Sequence, residues 1–116
     1  MRAMKTPVEV VQKQLEDYNR RDLAAFVANY ADDIRVYRLP STEPSLVGKE
    51  AFARQYETTR FNLPGLRAEL VNRIAFGNTV IDHERIHGVR PEPVEVAAAY
   101  EVRDGLIAAA WFLAGE

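Results

Sequence analysis

Apolar positions recur at helical spacing in the first part of the chain and at strand spacing in the second. Val8, Val11, Leu15 and Tyr18 lie three or four residues apart and form one apolar face. Thr6-Pro7-Val8-Glu9 supplies the start of that helix: a capping hydroxyl, a proline with preset φ, and a glutamate placed to complete a capping box. Asn19-Arg20-Arg21 interrupts the pattern, and Asp22 can cap a second helix whose stripe is Leu23, Phe26, Val27 and Tyr30. From Ile34 to Leu39 the residues are β-branched or aromatic, and the run stops at Pro40. A loop over 40–48, with a short strand at Ser45 to Val47, leads to Gly48 and a third helix. That helix puts Phe52 and Tyr56 on its inner face and ends before Pro64-Gly65.

The remainder alternates with a period of two. Arg67 to Phe76 places Ala68, Leu70, Ile74 and Phe76 on one side and Arg67, Glu69 and Arg73 on the other. Gly77-Asn78 is a hairpin turn into Thr79 to His87, and a looser connection over Gly88 to Pro93 follows. Asp104-Gly105 joins Val94–Arg103 to Leu106–Ala114 and is the strongest short hairpin signal in the chain. Helices followed by a meander of long strands predict an α+β fold. Three helices from the N-terminal half lie on a curved antiparallel sheet, which leaves a conical cavity between the two layers.

Composition narrows the function classes. A chain of 116 residues that is 47% hydrophobic and 28% charged reads as one domain, with residues 1–5 as a loose N-terminal tail. Fifteen Lys and Arg against 17 Asp and Glu give a formal charge of −2, which offers no electrostatic reason to bind nucleic acid or a membrane surface. Cysteine is absent, so disulfides, thiolate catalysis and cysteine-ligated metals are excluded. No apolar run approaches the ~18 residues of a membrane span. Met1 to Lys5 is basic but runs into an amphipathic stretch rather than a secretory signal, so the expected location is cytoplasmic.

His83-Glu84-Arg85-Ile86-His87 matches the zinc-protease spacing of two histidines. That chemistry needs a helix, where residues four apart share a face. On a strand they stand ~13 Å apart, too far to share one metal. No metal is therefore expected, and no glycine-rich phosphate loop or other motif calls for a cofactor. The strand divides into Val80, Asp82, Glu84 and Ile86 on one face and Ile81, His83, Arg85 and His87 on the other. Parity alone does not say which faces the cavity. Asp82 and Glu84 read as a solvated or interface pair, matched across the strands by Arg67 and Arg73. His83 is either a hydrogen-bonded structural residue or a proton-transfer group, since its ordinary pKa lies nearest neutrality. Tyr18, Tyr30, Tyr56 and Tyr100 fall on inner faces and would bring hydroxyl donors to an apolar cavity, and Gln14 shares the face of Tyr18.

The helix pair, the Tyr30-Ala31-Asp32-Asp33 run into the first strand and the Tyr100-to-Gly105 hairpin resemble the nuclear transport factor two-like superfamily. The likeness is to its SnoaL-like and ketosteroid-isomerase-like branch, from about Pro7 to Phe112. The resemblance implies a cystatin-like roll and a homodimer joined through the outer sheet face, with Val71, Val80, Ile86 and Trp111 in that face. It also implies that His83, Arg85, Ala98, Tyr100 and Phe112 face the cone, with Asp82 and Glu84 outside. Set against the isomerases, Gln14, Arg38 and Ala98 stand where the oxyanion-donating tyrosine, the aspartate base and the protonated aspartate would be. Steroid isomerisation needs those groups, so it is rejected.

Two readings follow. In the first, a small hydrophobic, oxygen-bearing metabolite is bound in the cone and undergoes acid–base chemistry of isomerase, dehydratase, cyclase or hydrolase type. His83 would move the proton, and Arg38 and Arg85 would hold an enolate or carboxylate. Gln14, Tyr18, Tyr30, Tyr56, Ala98, Tyr100 and Phe112 would line the ligand. In the second, the same cavity belongs to a non-catalytic ligand-binding or structural homodimer.

Overall fold

The computed structural model describes residues 5–114, so the tail expected over 1–5 lies, apart from Lys5, outside the described residues. The elements follow the expected order: α1 (Pro7–Asn19), α2 (Leu23–Val27), β1 (Tyr30–Arg38), β2 (Pro44–Val47), α3 (Lys49–Thr59), β3 (Arg67–Phe76), β4 (Thr79–His87), β5 (Val94–Arg103) and β6 (Leu106–Ala114). No helix among the described residues is long and apolar enough to cross a membrane. The capping box of α1 closes as expected. The Thr6 backbone N–H donates to Glu9 Oε1 at 2.8 Å, and the Glu9 N–H donates to Thr6 Oγ1 at 3.2 Å.

Helix α2 is shorter than its apolar stripe suggested, and Tyr30 belongs to β1 rather than to the helix. Asn29 ends it. Its Nδ2 donates to the carbonyls of Ala25 and Phe26 and to Asp17 Oδ2, so the side chain takes up the last helical acceptors. Asp17 is itself fully buried and gathers Lys13, Arg20 and Asn29, which ties α1 to the segment after α2.

The six strands form one sheet in the order β2-β1-β6-β5-β4-β3. All neighbours are antiparallel except β1 and β6, which run parallel, so the sheet is mixed rather than wholly antiparallel. The chain leaves β1 through β2 and α3 and returns to its side only after the meander of β3 to β6. A long excursion of this kind is what a parallel neighbour requires. The Asp104-Gly105 turn has φ values of 53° and 78°, both left-handed, as a two-residue hairpin demands.

One irregularity decides the rest. Along β3 and β4, Ala68 pairs with Ile86 and Leu70 with Glu84, but Asn72 pairs with His83, leaving Val71 as an extra residue at a bulge. Beyond it the faces of β3 exchange. Arg73 turns under the helices, whereas Ile74 and Phe76 turn to the outside, opposite to the simple alternation expected from sequence. Arg73 then meets Asp82 with two donors, Nε to Oδ1 at 2.7 Å and Nη2 to Oδ2 at 2.9 Å, and its Nη1 reaches Gln12 of α1 at 2.9 Å.

Residues Val80, Asp82, Glu84 and Ile86 are therefore buried against the helices. This corrects two expectations. His83 and Arg85 face outward, not into the cone, and Val80 and Ile86 belong to the core, not to the outer face. The reason is physical. A carboxyl can be paired with Arg73 or can neutralise itself by taking a proton, whereas the Arg85 guanidinium cannot shed its charge and stays on the wetter side.

Candidate functional site

Between the concave face of the sheet and the three helices lies a cavity of about 250 Å³. Gln14, Leu15 and Tyr18 reach it from α1, Phe26 from α2, Tyr30 and Arg38 from β1, Tyr56 and Arg60 from α3 and its cap. The sheet contributes Ala68, Glu84, Ile86, Val94, Val96, Tyr100 and Phe112, and the β4–β5 loop contributes Val89 and Arg90. That loop is held in place by a close backbone approach. Gly88, at φ +93°, lies so near Gly65 that a Cβ would fall 2.3 Å from its carbonyl carbon.

Gln14, Tyr18, Tyr30, Tyr56, Tyr100, Phe112 and Arg38 all line this cavity. Ala98 is fully buried on the same face but sits in register with Asp82 and does not line the cavity. His83 and Arg85 stand on the opposite face in a ladder of charge. His83 Nε2 lies 2.5 Å from Glu95 Oε1, Arg85 Nε donates to Glu95 Oε2 at 2.6 Å, and His87 Nε2 lies 3.0 Å from Glu69 Oε1. The two histidines thus engage different glutamates along a strand. No group of three or more His, Asp or Glu among the described residues is placed to hold a metal.

The group that sequence reasoning passed over is Glu84. It is only 5% exposed, and its neighbours across the strands are Leu70 and Val96, neither of which can pair with it. Its carboxyl makes no hydrogen bond or ion pair among the described residues, and no buried side-chain polar atom there is left sealed without a partner. Its carboxyl oxygens therefore open onto the cavity. Burial, reinforced by the charge of Asp82 two residues away and only partly offset by Arg73, pushes the Glu84 carboxyl up to about 7.

Four phenols surround it. Burial raises Tyr18, Tyr30, Tyr56 and Tyr100, with Tyr56 at about 12, and the Glu84 charge adds to the rise at each of them. All four stay protonated near neutral pH and can act as donors. Tyr30 spends its proton on Gln14 Oε1 at 2.9 Å, whereas the hydroxyls of Tyr56 and Tyr100 have no hydrogen-bond partner among the described residues.

A family model described as the SnoaL-like domain matches residues 11–110. The chain belongs to the SnoaL-like family. No curated protein is similar to it in sequence. Among solved structures, a proposed ketosteroid isomerase from Kribbella flavida superimposes with a TM-score of 0.81 at 20% identity, over 95% of this chain and 78% of the other. A nuclear transport factor two-like protein of unknown function from Cytophaga hutchinsonii gives 0.81 at 13% identity, over 99% and 95%. A proposed polyketide cyclase from Sinorhizobium meliloti gives 0.76 at 19%, over 90% and 93%. At such identities the likeness establishes the shared fold, and the activity has to be argued from this SnoaL-like domain's own cavity.

The raised Glu84 carboxyl makes a stability prediction. The unfolded chain releases this proton near the ordinary 4.5 and the folded protein near 7, so the folded state binds more protons between those values. Stability should fall as pH rises through that window, by about 3 kcal/mol in all, and level off above it. Glu84→Gln should remove this component. Urea denaturation of both proteins across the window reads the difference, and parallel curves would contradict the burial of an unpaired carboxyl.

Proposed function

We propose that this SnoaL-like protein carries out proton transfer on a small hydrophobic, oxygen-bearing molecule held in the cone, with Glu84 as the acid–base group. The observation that carries this reading is a cavity-facing carboxyl, unpartnered, adjusted to about 7 and ringed by phenolic donors. A group of that pKa is present in both protonation states at neutral pH, as a shuttle needs. The chemistry it fits best is proton abstraction next to a carbonyl. Glu84 takes the proton from the carbon, the electron pair moves onto the carbonyl oxygen, and Tyr56 or Tyr100 donates a hydrogen bond to the oxygen that becomes negative. Return of the proton at the same or another carbon closes the cycle. Gln14 holds Tyr30, while Tyr18 and Phe112 form part of the wall against which the ligand lies.

The outer face of the sheet supports a homodimer. Ile74, Ile81, Ala99, Trp111 and Tyr37 stand in register across five strands, and Trp111 and Tyr37 stack at 5.5 Å. Ile74, Phe76 and Leu113 are 52%, 61% and 52% exposed on the single chain, a patch that a second copy would cover.

Two outcomes are expected. In deuterium oxide the protein should speed proton exchange beside the carbonyl of a neutral bicyclic ketone such as indan-2-one. The rate should rise with pH through about 7, and Glu84→Gln should lower it by about a hundredfold or more. Exchange that is unaffected by Glu84→Gln would remove Glu84 from the chemistry. No exchange at all would leave the cavity as a binding site only. Sedimentation at micromolar concentration should give twice the 13.1 kDa chain mass, and Trp111→Glu should shift the protein to the single-chain mass. A parent protein that sediments at the single-chain mass would contradict the dimer.

A further inference from the structure

The cavity has two chemically different ends. Its interior holds Glu84 and the phenols, while its rim carries three arginines from separate parts of the chain: Arg38 at the end of β1, Arg60 after α3, and Arg90 in the β4–β5 loop. Arg38 and Arg90 are exposed, and their side chains make no ion pair or hydrogen bond among the described residues. Arg60 donates to the Thr59 carbonyl at 3.0 Å and touches no carboxylate. Glu84 is the only carboxyl that lines the cavity among the described residues, and it is not their partner. The charges acting on Glu84 are those of Asp82 and Arg73, whereas Arg60 acts on Tyr18, which it also meets by a hydrogen bond, and Arg60 and Arg38 act on Tyr56. Three arginines from separate parts of the chain thus line one cavity, and none of them pairs with a carboxylate among the described residues. Arginine cannot shed its charge, so an anion among them would be favoured.

The geometry points to an organic anion as the ligand, with its hydrophobic body inside the cone and its carboxylate or phosphate among Arg38, Arg60 and Arg90 at the rim. This rests on the proposed role of Glu84 only for the ligand's direction. The charged end stays at the arginines, and the oxygen-bearing carbon that reacts goes inward to Glu84. The arrangement also replaces the anion site expected from sequence, which paired Arg38 with Arg85. Arg85 is engaged with Glu95 on the far side of the sheet, while Arg60 and Arg90 face the same opening as Arg38. An anionic end held outside and a carboxyl held inside select against a ligand entering the other way round, since an anion beside Glu84 would meet like charge in an apolar setting.

The test uses the full chain and four probes with one ring system: 2-naphthoate, 2-naphthyl phosphate, 2-naphthol and 2-naphthylmethylamine, titrated calorimetrically at neutral pH. At least one anion should bind roughly tenfold tighter than the neutral alcohol, as expected for charge-assisted hydrogen bonds, with the amine weakest. The tighter anion identifies the head group. That preference should shrink as salt is added. It should collapse in the R38Q/R60Q/R90Q protein, with naphthol affinity unchanged as the control for an intact cavity, and it should persist in Glu84→Gln. Equal binding of anion, alcohol and amine, or an anion preference that survives in the triple variant, would overturn the inference. Either result would leave the role of Glu84 standing, because that role is read from exchange on a neutral ketone.

Discussion

On the concave face of the sheet Arg73 grips Asp82 with two parallel N–H donors and Gln12 of α1 with a third, and this junction fixes which side of β4 faces the helices. Asp82 is wholly buried, and leaving it there without its partner would cost about 3–5 kcal/mol. The bulge at Val71 makes the pairing possible by turning Arg73 inward while Leu70, on the other side of the bulge, still faces the core. Once Asp82 is inside, strand alternation puts Glu84 inside too and His83 and Arg85 outside. The contents of the cavity follow from that one junction.

Charge is distributed in this protein according to whether it can be paired or shed. Arg85 can do neither within an apolar cone, and it sits in the outer ladder with Glu95. Asp82 is paired. Glu84 has no partner within reach, and its remedy is to hold a proton up to near-neutral pH. The same isolation that makes Glu84 costly to bury as an anion makes it suited to exchanging a proton with a bound molecule. The phenols around it add donors without adding charge, so the interior is polar in hydrogen bonds yet low in fixed charge, while the arginines remain at the rim.

Much of the fold was legible because it is written in local chemistry. The capping box at Thr6, the Asp22 cap, the Asp104-Gly105 turn and the alternation of β4 each constrain a few neighbouring residues, and each forms as read. The cavity's tyrosines were also legible, since aromatic residues on inner faces have few other places to go. The acid–base candidate was not. Whether Glu84 or His83 faces inward is a single choice of parity, set by a long-range partner, Arg73. That partner's own direction depends on one bulged residue that leaves no mark in the apolar pattern. The resemblance to the isomerases implies the opposite face of this strand inward. Arg38 was named from the sequence, but its two companions at the cavity were missed for a related reason. Arg60 and Arg90 lie outside the strands, and only the tertiary structure brings them beside Arg38.

The claim on which the account turns is that Glu84 titrates near neutrality inside an intact fold. Carbon-detected NMR of protein labelled at the glutamate side-chain carboxyl carbon, with Glu84→Gln used to assign the signal, measures it directly. One carboxyl resonance, missing from the Glu84→Gln spectrum, should move with a midpoint of about 7. A Glu84 resonance that titrates at or below the ordinary carboxylate value of 4.5 would mean a solvated or paired group, and would contradict the account.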